Sequence, residues 1–280
     1  EVIPLTGEDE DSVASIGNTY YKSLAGAVAD AENGQTVTLL QDTEENIVIS
    51  ADQRLTLDLN GKTLSEANSN SSTVIVEGEL TIQDSTATNP PEVSGTYYET
   101  VNYTSGKITS SGYKVSAVAT QNGGTVTLVS GKVESTGNIA LYAQGDITGE
   151  TEINSTVNVF GGYVEAQEFA VSAQGKGATL NISDGVMVGK DNAAVAGNGS
   201  NSEGNRRGGT TINISGGTMI GHIETVQNSN GDPYIACGIY HPQSGELNIT
   251  GGTIYAGSNG RTGVGILMRG GTLEISNATV

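Results

Sequence analysis

The sequence predicts an all-β fold, a right-handed parallel β-helix solenoid of about eight or nine coils with three short strands per coil. Three observations predict it: a repeated motif of alternating apolar residues, a glycine after each copy, and variable segments rich in Gly, Asn and Ser between copies. Alternation with a period of two residues indicates strands, because a helix would scatter these residues around its surface. Constant strands with variable loops are typical of solenoid repeats.

The first motif alternates apolar and polar residues and ends in a glycine turn. Its copies are TVTLVSGKV from Thr125, TVNVFGGYV from Thr156, TLNISDGVM from Thr179, TINISGGTM from Thr211, ELNITGGTI from Glu246 and TLEISNATV from Thr272, with looser copies from Thr36, Leu55 and Glu79. Aligned copies place Val126, Val157 and Leu180 in one apolar column. Equivalent strands of neighbouring coils would pair in parallel about 4.8 Å apart.

A second motif precedes most copies of the first and supplies another strand in each coil. Its copies are SAVATQ from Ser116, ALYAQ from Ala140, AVSAQ from Ala170, AVAGN from Ala194, GIYHP from Gly238 and GILMR from Gly265. The third strand follows the glycine turn. A narrow interior of stacked aliphatic residues needs few large aromatic residues, and the chain has 40 Gly, two Phe and no Trp.

The two ends and one insertion depart from the repeat. We expect a flexible acidic segment over 1–12 and a single β-helix domain over 13–280, with an insertion at about 86–105. A capping helix at about 23–33 would begin at the N-cap Ser23 and stop at Gly34. VNYTSGKI from Val101 is either part of the insertion, which we favour, or a full repeat. The start without Met suggests a removed export signal, and the C-terminal end is predicted to be uncapped and to continue into further domains of the same protein.

Charge and composition exclude several functions. The net charge of −19 would repel nucleic acids and anionic lipid surfaces, so neither is expected as a partner. No apolar run is long enough to span a membrane, and the single cysteine, Cys237, permits no intramolecular disulfide.

The opening YYKSLAGAVADAENGQTVTLLQD, the segment LTLDLNGKTL and the TLNISGGTI-like units together resemble the β-helical regions of exported, adhesin-like bacterial surface proteins of the pectate-lyase-like superfamily. The resemblance covers the chain from about Val13. It implies a secreted or cell-surface bacterial protein that contacts glycans or a host surface. It also implies two functions: a non-catalytic spacer or adhesive, carbohydrate-binding module, or alternatively a polysaccharide lyase or glycoside hydrolase.

The catalytic patterns of those enzymes are missing from the sequence, so we favour the non-catalytic function and predict no catalytic residue. A glycosidase needs two facing carboxylates, whereas Asp58, Asp84, Asp146, Asp184 and Asp191 lie singly in or beside turns. Gly221-His222-Ile223 half matches the Gly-His-Gly of polygalacturonases, and Arg206 and Arg207 have no acid cluster beside them. His222 and His241 are expected to be exposed, and no metal site or cofactor is predicted; a Ca²⁺ site of loop carbonyls and one Asp is an alternative without a motif.

Two columns of residues in the repeats are predicted to point outward, away from the core. Asn158, Asn181, Asn213 and Asn248 are predicted to form a structural stack of hydrogen-bonded amides. On the second motif, Tyr142, Ser172 and Tyr240 share a column beside Gln121, Gln144 and Gln174. Aromatic faces beside amides can stack on and hydrogen-bond sugar rings, so Tyr142, Tyr240 and the three glutamines form the candidate carbohydrate site. An ordinary solvated sheet face is the alternative.

Overall fold

The structure is a computed structural model that describes residues 10–87, 89–96, 98, 100–198, 208–222, 236–258 and 261–280. These residues form an all-β fold with one helix, α1 (Leu24–Asp30). The first strands are β1 (Ala14–Ile16), β2 (Thr19–Tyr21), β3 (Thr36–Leu39), β4 (Thr43–Glu44), β5 (Ile47–Ile49), β6 (Arg54–Asp58), β7 (Thr63–Ser65), β8 (Val74–Val76), β9 (Glu79–Gln83), β10 (Glu92–Ser94), β11 (Thr100–Asn102), β12 (Lys107–Ser110), β13 (Ser116–Thr120) and β14 (Thr125–Leu128). The remaining strands are β15 (Lys132–Ser135), β16 (Ile139–Gln144), β17 (Thr156–Ala166), β18 (Val171–Gln174), β19 (Thr179–Gly189), β20 (Ala193–Asn198), β21 (Thr210–Ile214), β22 (Thr218–Gly221), β23 (Cys237–His241), β24 (Gly245–Ile249), β25 (Thr253–Ser258), β26 (Arg261–Thr262), β27 (Val264–Met268) and β28 (Thr272–Ile275).

Three long parallel ladders contain most of these strands. The first ladder is β3-β6-β9-β14-β17-β19-β21-β24-β28, and the second is β4-β7-β12-β15-β17-β19-β22-β25. The third ladder is β5-β8-β13-β16-β18-β20-β23-β27. In each ladder a strand pairs with its equivalent one repeat away, so the architecture is consistent with a β-solenoid. The predicted parallel stacking of repeats is therefore confirmed.

Alternating burial along the strands defines the interior between the ladders. On the first ladder Val126 lies in register with Val157, and Val157 lies in register with Leu180; all three are fully buried. On the third ladder Leu141 and Val171 are likewise paired and buried. The apolar columns predicted from the sequence thus face the core, where burial of such side chains is the main stabilising contribution.

Helix α1 packs beside β5 at the N-terminal side of the third ladder. The hydroxyl of Ser23 accepts a hydrogen bond from the Gly26 amide at 3.1 Å, so Ser23 is the expected N-cap. The helix ends at Asp30, earlier than the predicted boundary near residue 33. The backbone becomes extended at the C-cap Ala31 (φ −69°, ψ 132°), and the Glu32 amide donates to the Gln35 side chain. The Asn33 side chain then bonds the turn of the next repeat: its Nδ2 donates to the Asp52 carbonyl, and its Oδ1 accepts from the Arg54 amide.

The insertion forms an antiparallel hairpin, β10–β11, between β9 and β12. Val93 and Val101 of the hairpin pack against an outer apolar cluster that includes Tyr163 and Val186 on the second ladder. The Gly131 amide donates to the Tyr103 hydroxyl at 2.9 Å and anchors the end of the insertion. VNYTSGKI is not a repeat of its own, because its first two residues belong to β11, which pairs antiparallel with β10. Its last two residues begin β12, which continues the second ladder between β7 and β15.

The glycine turn takes two forms. In most repeats it separates two strands, as the sequence predicts, whereas β17 and β19 run through it as single strands of 11 residues. The pairing of these two strands shifts register between Val159 and Tyr163. Gly162 lies at this shift with φ +75°, and the equivalent Gly185 has φ +90°, a backbone region that favours glycine.

An asparagine stack runs across the outer face of the first ladder. The Asn158 amide donates to the Thr127 hydroxyl at 3.1 Å, and Asn181 donates to Asn158 Oδ1 at 2.9 Å. Asn213 then donates to Asn181 Oδ1 at 2.9 Å, and Asn248 donates to Asn213 Oδ1 at 3.0 Å. The predicted structural role of these four asparagines is confirmed.

Candidate functional site

The outer face of the third ladder carries the predicted carbohydrate-site residues. Strand pairing places Tyr142 in register with Ser172, Ser172 with Ala196, and Ala196 with Tyr240. The predicted shared column is therefore correct. Three strand spacings separate the two tyrosines, however, which is roughly 14 Å along the stack.

A groove of about 610 Å³ opens over the part of this face formed by β8, β13, β16 and β18. We call it the amide groove; it is lined by Ser72, Ile75, Tyr113, Lys114, Val115, Ser116, Ala119, Gln121, Asn138, Ile139, Tyr142, Gln144, Ile147, Glu168, Phe169 and Gln174. It therefore brings together four of the five predicted site residues, namely Tyr142 and the three glutamines. Tyr240 lies outside the lining.

Aromatic rings occupy three places around the amide groove. Tyr142 is on its floor, Tyr113 is 72% exposed at its rim, and Phe169 lies in one wall. The Tyr240 ring stacks beside Phe169, with centroids 6.4 Å apart and planes inclined by 15°. Tyr240 thus contacts the groove lining through Phe169 but is not itself part of it. Tyr113 and Tyr142 therefore offer accessible ring surface for stacking, whereas Phe169 is buried in the wall.

Polar side chains that can accept and donate hydrogen bonds accompany these rings. Gln144 and Gln174 are paired on β16 and β18, and the Tyr142 hydroxyl donates to Gln174 Oε1 at 2.7 Å. The Gln121 amide donates to Glu77 Oε1 at 2.9 Å. These bonds hold the Gln174 and Gln121 amides in place, because each fixes one end of a side chain that would otherwise sample many rotamers.

Glu168 is the one carboxylate among the described residues that line the groove. It follows β17 and directly precedes Phe169. Burial raises the pKa of Glu168 above its ordinary value, and the neighbouring Asp191 carboxylate raises it further. Asp191 is itself buried and accepts a hydrogen bond from the Gln167 amide. Both effects favour the protonated, uncharged form of this carboxyl group.

The sequence did not indicate Tyr113, Glu168 or Phe169, because all three lie in turns outside the repeated strands. Phe169 did carry a signal: it stands one residue before AVSAQ, just as Ile139 stands one residue before ALYAQ. Both side chains contribute to the groove wall. Phe169 and Ile139 thus share a column one residue before the second motif.

The predicted exposure of the histidines is wrong, since His222 and His241 are both buried. His241 occupies an inward-facing position on β23, next to Gly197 of the neighbouring repeat. A Cβ atom at Gly197 would lie 2.7 Å from His241 Nδ1, so the glycine makes room for the ring. Burial lowers the pKa of His241, an effect partly offset by the Gly245 backbone.

The turn aspartates bond the backbone, as predicted. Asp84 accepts from the amides of Gly61 and Thr86, and Asp146 accepts from those of Thr148 and Thr151. The hydrogen bonds from the two threonines hold the pKa of Asp146 well below its usual range. Within the described ranges, no group of three or more His, Cys, Asp or Glu residues is placed to hold a metal ion. Arg206 and Arg207 lie outside the described residues.

A second concavity of about 650 Å³ lies between α1 and β5. Its lining includes Ala25, Ala29, Val48 and Asn46 but no aromatic residue, so it lacks a surface for stacking. No helix among the described residues has the length and apolar character needed to cross a membrane.

In comparisons with known proteins, no family model matches the chain, and no curated protein or solved structure gives a significant match. The function must therefore be argued from the geometry of the amide groove.

Proposed function

We propose that the chain is a non-catalytic module that binds carbohydrate in the amide groove. One observation carries the proposal: neighbouring repeats bring Tyr142, Phe169 and Tyr113 together with the amides of Gln144 and Gln174 in a single groove. Small-molecule sites in proteins combine hydrophobic and aromatic side chains with positioned hydrogen-bonding groups, and the amide groove contains both kinds. Sugar rings present an apolar face and a rim of hydroxyls, which match these two kinds of side chain.

The proposed context is an exported bacterial surface protein in which a right-handed parallel β-helix of about eight or nine coils acts as a rigid spacer. The strand ladders, the net charge of −19 and the repeated motifs support this context. In such a protein the groove would display its binding face along the side of the rod, where a glycan chain or a host surface can reach it.

A glycan array tests the function directly. We expect the wild-type chain to bind at least one oligosaccharide, and Tyr142→Ala to weaken that binding at least about tenfold, because a stacking platform and the hydroxyl that bonds Gln174 are both lost. Tyr142→Phe keeps the ring and should lose less.

Phe160→Ala is the matched control, since Phe160 is a half-exposed aromatic residue outside the groove lining. It should leave the affinity unchanged. Absence of binding to any glycan, or equal losses from Tyr142→Ala and Phe160→Ala in variants whose far-UV circular dichroism is native, would contradict the proposal.

A polysaccharide-cleaving enzyme is the second candidate function, and Glu168 favours it. A carboxyl group of raised pKa facing a sugar is the general acid of many glycosidases, and a second carboxylate completes the pair. Of the two carboxylates, however, Asp191 is not part of the groove lining. Release of reducing ends from a bound oligosaccharide by the wild type, with loss of that release in Glu168→Gln, would establish the enzyme and refute the non-catalytic function.

A further inference from the structure

Three polar side chains meet in the interior, where the chain passes from the third ladder to the first. Thr210 begins β21, His241 ends β23, and Gln243 lies in the turn between β23 and β24. Thr210 is 1% exposed, and the other two side chains are fully buried. The lining of the amide groove includes none of the three, so carbohydrate binding does not account for their burial.

Hydrogen bonds hold the Gln243 carboxamide against Thr210. Gln243 Nε2 donates to the Thr210 hydroxyl oxygen, a contact between residues 33 positions apart in the sequence. Because Nε2 is bonded to the carboxamide carbon Cδ, Thr210 Oγ1 lies within about 4 Å of that carbon. The Gly209 backbone amide donates to Gln243 Oε1 at 2.9 Å. A hydroxyl oxygen close to a carbonyl carbon, with a donor on the carbonyl oxygen, is the arrangement that acyl transfer needs.

His241 is placed beside this carboxamide, where it can act as a base. A Cβ atom added at Gly197 would lie 2.7 Å from His241 Nδ1 and 2.8 Å from Gln243 Nε2, so both nitrogens border the same small space. Neither ring nitrogen of His241 makes a hydrogen bond of normal geometry with a described residue. Burial lowers the pKa of His241, which favours the neutral imidazole that can accept a proton.

We propose that Thr210 and Gln243 form an intramolecular ester bond, a covalent cross-link between neighbouring repeats. Thr210 Oγ1 attacks Gln243 Cδ while His241 accepts the hydroxyl proton. The Gly209 amide stabilises the negative charge that develops on Oε1. The C–N bond of the carboxamide then breaks, and His241 returns the proton to the leaving nitrogen, which departs as ammonia. The products are one ester bond and one ammonia molecule, and the step requires no oxidant, reductant or cofactor.

The position of the ester determines its effect on the fold. Thr210 pairs with Gly245 of β24, the strand that follows the turn of Gln243, so the bond joins two consecutive repeats of the first ladder. Burial of both partners keeps water away from the ester and slows its hydrolysis. A cross-link reduces the entropy of the unfolded chain, as a disulfide does, in a chain whose single cysteine permits no intramolecular disulfide.

Intact-mass spectrometry of the purified, denatured chain tests the proposal. We expect a mass lower than that of the sequence by one ammonia molecule. Asn–Gly pairs such as Asn122–Gly123 can also lose ammonia, by cyclisation, so the loss must be located. Digestion with trypsin and a glutamate-specific protease cuts after Glu224 and so separates Thr210 from Gln243 in the sequence. The two peptides should stay joined until mild alkali hydrolyses the ester and leaves a carboxylate on the Gln243 side chain.

Variants of the three side chains distinguish the ester from an ordinary hydrogen bond. Thr210→Val removes the hydroxyl at nearly constant shape and should give the full sequence mass and separate peptides. Thr210→Ser is the matched control, because it keeps a hydroxyl and should keep the cross-link. His241→Met should slow cross-linking about hundredfold or more, because it removes the general base. The mass at successive times after cell-free synthesis measures this rate.

Two results would overturn the inference. The first is a wild-type chain with native far-UV circular dichroism that keeps the full sequence mass, and the second is joined peptides from Thr210→Val. Cross-linking of His241→Met at the wild-type rate would refute the role of His241 as the base. Each of these results is independent of carbohydrate binding in the amide groove.

Discussion

Replacing Asn181 by alanine removes two hydrogen bonds from the middle of the asparagine stack. Its amide donates to Asn158 and its Oδ1 accepts from Asn213, both at 2.9 Å. A neutral hydrogen bond contributes roughly 1 kcal/mol net, so the substitution should lower the free energy of unfolding by about 2 kcal/mol. Asn248→Ala is the matched control, because Asn248 donates one bond to the stack and accepts none within it, and should cost about 1 kcal/mol.

Urea unfolding followed by far-UV circular dichroism measures both losses, with the slope m compared among variants to establish that the same cooperative unit unfolds. Strand propensity does not distinguish the two variants, because both replace Asn by Ala in the same column of the first ladder. Equal losses for Asn181→Ala and Asn248→Ala, or losses below about 0.5 kcal/mol for both, would show that water replaces the amide partners and would refute the structural role of the stack.

Three further predictions follow from single positions. Because burial lowers the pKa of His241, the unfolded chain binds a proton at this site at a higher pH than the folded chain does. The free energy of unfolding should therefore fall as the pH drops below about 6.5, by up to about 1.4 kcal/mol per pH unit. Urea midpoints measured between pH 7.5 and 5.5 should fall less for His241→Met than for the wild type. Gly162→Ala places a Cβ 2.6 Å from the Gly131 carbonyl oxygen at φ +75°, and should lower the free energy of unfolding in urea by at least about 2 kcal/mol. Gly123→Ala is also at positive φ but has no atom within 4 Å of the new Cβ, so it should lose only about 1 kcal/mol. Equal losses would contradict the clash. Ser23→Ala should lower the free energy of unfolding by about 1 kcal/mol, because the N-cap hydrogen bond is lost, whereas Ser23→Asp should keep most of the wild-type stability. Thermal unfolding of the two variants measures the difference, and identical midpoints would argue against the cap.

The sequence predicted the elements whose residues repeat with a period of two. Val126, Val157 and Leu180 occupy one column of the repeat, and Tyr142 and Ser172 share a column in the same way. Alternation determines which side chains face the core, and stacking then determines which of them are neighbours. The N-cap at Ser23 was predictable for a different reason, since capping depends on local hydrogen bonding alone.

The parts that the sequence did not predict depend on contacts between repeats. Tyr113 lies in a turn that no column includes, and Phe169 stands one residue before the columns of the second motif. His241 aligns with Ala173 of AVSAQ and therefore carried a signal for an inward position, but its burial also requires the space that Gly197 leaves in the preceding repeat. Helix α1 ends early at an extended Ala31, after which the Glu32 amide donates to the Gln35 side chain, and helix propensity does not reveal such a local bond.

Methyl NMR tests most directly whether the amide groove is the binding site. The protein is titrated with the oligosaccharide that binds most tightly on the glycan array. Ile75, Ile139 and Ile147 line the groove, whereas Val93 lies on the β10–β11 hairpin and packs against the second ladder. Chemical-shift changes should concentrate on the three isoleucine methyl groups and leave Val93 unchanged. Changes that spare the isoleucines and appear elsewhere, or no changes at ligand concentrations that saturate binding, would contradict the assignment of function to this groove.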